Sequence, residues 1–196
     1  MQMQRFGSAF LLFLSANLAQ AANTSVYTKF VIEKCKVLRA AVPNEEDGGS
    51  YICPGYKNLK VYFAEGDLRQ LIAIGKNPEK HCAAEQTFPQ FNSVDATIEW
   101  RLSNGKPIAT IQRWHVSEPV DSSKTKSWLV VTKLEANNSC HMAIVEGAYP
   151  EANAKAREIA DKLSPRFQCG VSSEEIVNLP GTNKEDGRTS SSCEKY

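Results

Sequence analysis

Six cysteines, at positions 35, 53, 82, 140, 169 and 193, all lie beyond a short apolar leader, and this pairing limits the fold more than any other feature. The leader reads as a secretory signal. Arg5 gives it a positive start, Ala9 to Leu18 is apolar except at Ser15 and Asn17, and Ala19-Gln20-Ala21 offers small residues for a cut between Ala21 and Ala22. A membrane-spanning helix needs about 20 apolar residues, roughly twice this run. No later stretch reaches that length, so no membrane span is expected after cleavage. Thiols delivered across a membrane meet oxidising conditions, where disulfides are the default. The chain is therefore expected to be periplasmic or secreted and to fold around covalent braces.

Composition removes one class of partner. The chain has 196 residues, with 23 Lys+Arg against 22 Asp+Glu and 42% hydrophobic residues. Loss of residues 1–21 takes one base, Arg5, and no acid, so the exported chain is formally neutral. A protein that neutralises phosphates would carry a basic surplus, so nucleic acid is not expected as a partner. A chain of about 150 residues buries roughly 70% of its unfolded surface, enough for one core. We expect a signal peptide at 1–21, a single α+β domain at 22–175, and a polar, mobile tail at 176–196.

Six cysteines allow 15 pairings, and local patterns narrow them. Val26 to Leu38 and Tyr51 to Cys53 are strand-like and flank a polar segment containing Asp47-Gly48-Gly49, which reads as a long-looped hairpin. That hairpin would bring Cys35 near Cys53. Farther on, Trp128 to Leu134 and Cys140 to Val145 are nearly continuous apolar strands, expected in the centre of a sheet covered on both faces. Residues 150–164 then read as a helix, with Pro150 in the first turn and a stripe of Ala152, Ala156, Ile159, Ala160 and Leu163. A strand of this length advances roughly 17 to 20 Å and such a helix returns about 22 Å. The two nearly cancel, so Cys169 is expected beside Cys140. Cys82 and Cys193 stay unassigned: they could pair within the chain, pair between chains or remain free.

Two further hairpins are legible. Asn104-Gly105 is the preferred pair for a type I′ turn and sets Ile98 opposite Ile111, Trp100 opposite Ala109 and Leu102 opposite Pro107. Trp100 is then a core anchor, and Thr97, Glu99 and Arg101 lie on a wetted face. A turn at Glu65-Gly66 would set Phe63 opposite Leu68 and Val61 opposite Gln70. Lys76 to Val94, with two prolines and no sustained period, reads as a long surface loop. The expected architecture is an antiparallel meander sheet of about six to eight strands with one C-terminal helix packed on one face.

No short motif with a dependable mechanism occurs: there is no G-x-S-x-G, H-E-x-x-H, G-x-x-x-x-G-K-[ST] or C-x-x-C. The neighbours His81-Cys82 and Cys140-His141 raise zinc or copper binding. Adjacent strand residues point to opposite faces, however, and disulfides account for the cysteines. We assign no cofactor and no metal, and leave catalytic residues unassigned. A dispersed hydrolytic site would draw on His115, His141, Asp67 or Glu99 and would show a cleft where a histidine and a carboxylate converge with shifted titration. A small-ligand module would show an apolar pocket without that convergence.

Several stretches together resemble a group of small exported proteins of Gram-negative bacteria that carry no assigned activity. They are Lys34-Cys35, Cys53-Pro54-Gly55-Tyr56, Gly66-Asp67-Leu68-Arg69, Glu99-Trp100-Arg101, the Asn153 to Asp161 helix and Phe167-Gln168-Cys169-Gly170. The likeness spans about residues 27 to 170; Cys82 and Cys193 are not part of it. It implies a periplasmic location and carries over no catalytic residue. The leading expectation is a noncatalytic module that binds or modulates another envelope protein.

Overall fold

Asn104 and Gly105 both adopt positive φ (50° and 74°), the geometry a type I′ hairpin demands, and the longest strands of the molecule run from that turn. The computed structural model of the chain describes residues 22–42, 48–190 and 193. The leader, its cleavage point, and Asp47 of the first expected turn lie outside the described residues. The strands are β1 (Thr24–Lys29), β2 (Lys36–Arg39), β3 (Gly49–Pro54), β4 (Lys60–Gly66), β5 (Arg69–Gly75), β6 (Asn92–Ser103), β7 (Lys106–Ser117), β8 (Thr125–Leu134) and β9 (Ser139–Glu146). Helix α1 (Ala152–Leu163) and a short strand β10 (Glu175–Val177) follow.

The protein is α+β with a C-terminal helix, but its strands form two sheets in place of the single meander expected. A six-stranded sheet has the order β1-β6-β7-β8-β9-β10, and a four-stranded sheet the order β2-β3-β4-β5. Every pairing is antiparallel except that of β10 with β9, which makes the larger sheet mixed. The departure arises at β1, which joins β6 across the sequence (Val26 opposite Trp100) and leaves β2 to begin the small sheet. Apolar faces decide the packing. Val61, Phe63, Ile72 and Ile74 of the small sheet close on Ile98, Trp100, Trp114, Trp128, Val130 and Ile144 of the large one. A second core lies on the other face, where Ala156, Ile159 and Ala160 of α1 cover Ala109, Ile111, Leu129, Val131 and Ala143. The strands β7, β8 and β9 are thus covered on both faces.

The β6–β7 hairpin keeps its expected turn and loses its expected register. Leu102 faces Pro107, but a bulge follows, and Trp100 lies opposite Thr110 and Ile98 opposite Gln112. A slip of one residue reverses which face a side chain occupies. Ile98, Trp100 and Leu102 therefore point to the inter-sheet core, while Ala109 and Ile111 point to the helix. Glu99 and Arg101 share the helix side, and that face is not wetted: both are buried beneath α1. Glu99 takes two hydrogen bonds from Arg157 (2.6 and 3.1 Å), and Arg101 gives two to Asp161 (3.0 and 2.5 Å).

The second hairpin turns at Asp67-Leu68, two residues beyond the expected place, so Phe63 faces Ile72 and Val61 faces Ile74. Both turn residues have positive φ (51° and 55°), an uncomfortable conformation for leucine costing about 1–2 kcal/mol. Bringing Ile72 and Ile74 fully into the core offsets that cost. The segment from Lys76 to Val94 is also not a surface loop. His81, Cys82, Ala83, Gln86 and Phe88 are buried, and Phe88 sits between Trp114 and Trp128 with ring centroids 5.5 and 6.3 Å away. Short 3-10 turns at Pro78–Lys80 and Cys82–Ala84 shape it into a plug beside β5.

Candidate functional site

Three disulfides brace this framework. Cys35 is bonded to Cys53 (Cα–Cα 4.2 Å), Cys140 to Cys169 (5.7 Å) and Cys82 to Cys193 (5.1 Å). The first ties the start of β2 to β3, and the second ties β9 to the segment after α1. The third, which the sequence leaves open, fastens the C-terminal strap to the plug. Cysteines spent in disulfides offer no thiolate, which removes the sulfur from both the His81-Cys82 and the Cys140-His141 pairs. Three bonded pairs fit an oxidising compartment. No helix among the described residues is long and apolar enough to cross a membrane.

The four residues suggested for a dispersed hydrolytic site do not converge. Asp67 is ion-paired to Arg69 at a hairpin tip. Glu99 lies under α1; burial pushes its carboxyl up, but hydrogen bonds from Arg157 and Ser25 and the Arg157 charge together hold it below its ordinary value. His115 pairs with Asp95 at 3.1 Å on an exposed edge. His141 alone borders a cleft of about 260 Å³, together with Gln86, Phe167, Glu174, Arg188 and Thr189.

In that cleft His141 is linked to a carboxylate, Glu174, through Thr189; Glu174 stands in an irregular segment with no periodic pattern to single it out in the sequence. The Thr189 hydroxyl donates to Glu174 Oε2 (3.0 Å), and its backbone N–H donates to Oε1 (3.3 Å). With the hydroxyl proton so used, His141 Nδ1 is the donor in its 3.3 Å contact with Thr189 Oγ1. The His141 ring stands edge-on to Trp114 at 5.8 Å, and its backbone N–H is taken by Gln86 Oε1 at 2.7 Å, next to a bulge in β9. Burial pushes the imidazole down to about 3, and burial pushes the Glu174 carboxyl up. The His141–Thr189 contact joins the strap to β9, Gln86 joins the plug to the same residue, and Glu174 holds Thr189 in place, so the geometry is that of a latch. Ser190 extends it, donating to Thr87 O (2.8 Å) and Glu85 O (3.1 Å). Gly187 lies so close to Trp128 that a Cβ would come within 2.8 Å of the indole. The tail thus buries more than its polar sequence suggests, and β10 straddles the expected boundary at residue 175.

A different surface has the character of a binding site. Val31, Val37, Leu38 and Val42 are 41 to 52% exposed. Val37 and Leu38 are neighbours in β2, and both side chains are open to solvent. Among the described residues β2 pairs only with β3 (Lys36 opposite Ile52, Val37 opposite Tyr51), with a bulge between Val37 and Arg39. Its root is fixed by the Cys35–Cys53 bridge, and Lys34 and Lys36 stand at its start.

Fold and surface together define a disulfide-braced α+β domain, a two-sheet sandwich with one covering helix, in which β2 is an edge strand among the described residues. No family model, curated protein or solved structure matches the chain.

Proposed function

We propose that the protein is an exported, noncatalytic module of the periplasm or external medium that binds or modulates another envelope protein through the free edge of β2. The observation that carries this reading is a strand with two exposed apolar residues, Val37 and Leu38, paired among the described residues only with β3 and fixed at its base by a disulfide. Such an edge is a template for strand addition, in which backbone hydrogen bonds give affinity and side chains give selectivity. Its charges choose the partner. The fitting partner is an extended segment with apolar residues to meet Val37 and Leu38 and a carboxylate to meet Lys36. The likeness to small exported proteins of Gram-negative bacteria supports the location.

The test is site-specific photocrosslinking in the native cell from positions 37 and 38, with Val120 and Val171, exposed elsewhere, as controls. One protein should be captured from 37 and 38 and not from 120 or 171, and Lys36→Glu should abolish the capture. Equal capture from all four positions, or none from 37 and 38, would overturn the proposal.

A further inference from the structure

At the end of the sandwich where the β3–β4 turn lies, three turns and the end of β5 enclose a cleft of about 330 Å³, within the range of small-molecule pockets, about 300–1,000 Å³. Its floor is apolar: Ile74 from the inter-sheet core, Leu59, Leu134, Pro107 and the Tyr56 ring. Its walls are closed by their own backbone bonds. Gly55 N–H donates to Leu59 O and Leu59 N–H to Tyr56 O (both 3.1 Å), while Glu135 N–H donates to Asn138 O (2.9 Å). Asn138 Oδ1 in turn accepts from Cys82 N–H and Ser139 N–H (both 2.9 Å). A site built this way is preformed, so little ordering opposes a ligand.

The rim is positive. Lys57 Nζ is anchored by Gly105 O at 3.1 Å and stands over the Tyr56 ring at 5.2 Å. Lys76, on the neighbouring wall, makes no ion pair among the described residues and is exposed. The one carboxylate on the rim, Glu135, is occupied in accepting Cys169 N–H at 3.1 Å. We infer that this cleft binds a small amphiphilic carboxylate, its aryl or short alkyl body on the Ile74–Leu134 floor and its carboxylate between Lys57 and Lys76. This site is separate from the β2 edge and does not rest on it.

The probe is 3-phenylpropanoate, titrated into the full disulfide-bonded chain and followed by amide NMR shifts, with the neutral 3-phenylpropanamide alongside. Saturable shifts should be confined to residues 55–59, 74–76, 105–107 and 134–138. The amide should bind about fivefold more weakly, as loss of one partly exposed charge contact implies, and Lys76→Gln should erase most of that difference. Ala136→Trp, or Asn58→Trp from the opposite wall, should fill the mouth and remove binding while the remaining resonances stay in place. Absence of saturable binding, equal affinity for acid and amide, or binding that persists in whichever filled variant folds, would each overturn the inference.

Discussion

His141 stays neutral because burial pushes its imidazole down to about 3, and this makes folding stability depend on pH. Once the pH falls below the unfolded histidine's ordinary 6.5, the unfolded chain takes up a proton that the native chain refuses. This part of the stability is therefore complete above pH 6.5 and lost as pH falls, at up to about 1.4 kcal/mol per pH unit. His81 is also pushed down by burial, against the opposing influences of its Ile74 hydrogen bond and of Glu79, and adds a slope of the same sign. Glu174 acts the other way. Burial raises its carboxyl despite the Thr189 hydrogen bonds, so its native form resists losing a proton and stability falls as pH rises through its ordinary 4.5. Urea unfolding at a series of pH values should show wild-type stability declining from pH 6.5 to 5. His141→Gln should flatten that decline, leaving the His81 share less the opposing Glu174 slope. Glu174→Gln should keep the decline, steepened toward its acid end, and match or exceed wild type at pH 7. A wild-type profile flat over this window would contradict the buried, neutral latch.

The elements differ in how far the sequence discloses them, and the reason is the range of the interactions that define each. The Asn104-Gly105 turn is legible because only a few residue pairs tolerate two positive φ values in succession. The α1 stripe is legible because a helical period is a local property. The bulge after Leu102 carries no glycine or other marker; it follows from the need to aim Trp100 at one core and Ile111 at the other, which only the assembled layers impose. Asp67-Leu68 hides behind the adjacent Gly66 because the burial of Ile72 and Ile74, not turn chemistry, selects it. The β2 edge was beyond reach for the same reason, since exposure of Val37 and Leu38 depends on where β1 goes. The strap is the extreme case: its partners Thr87, Glu146 and Trp128 are distant in sequence, and polar residues on its surface conceal a packed glycine. Its tether should therefore matter. Replacing Cys82 and Cys193 together by serine should cost about 4.5 kcal/mol, because the Cys140–Cys169 bridge, spanning 29 residues, only modestly shortens the 111-residue loop they close. Hydrogen exchange should show the Ser190 amide losing its protection while β7 and β8 keep theirs. Unchanged exchange at Ser190 would mean the side-chain latch suffices without the disulfide.

At the scale of the molecule, β7, β8 and β9 belong to both cores, so neither layer has a sheet of its own to stand on. The three tryptophans, Trp100, Trp114 and Trp128, are at most 1% exposed and lie in the inter-sheet core, which the helix does not enter. Ile159 lies in the other core, 3% exposed, between α1 and the opposite face of the same strands. If the shared strands make the two cores one cooperative unit, damage at Ile159 must be felt by indoles it does not touch. Ile159→Ala removes buried carbon and leaves a cavity, a loss of about 2–4 kcal/mol. In urea, the midpoint of tryptophan emission should then move down together with the midpoint of far-ultraviolet circular dichroism, and by the same amount. An emission midpoint that held its wild-type position while helical signal was lost earlier would show instead that α1 unfolds from a sandwich able to stand alone.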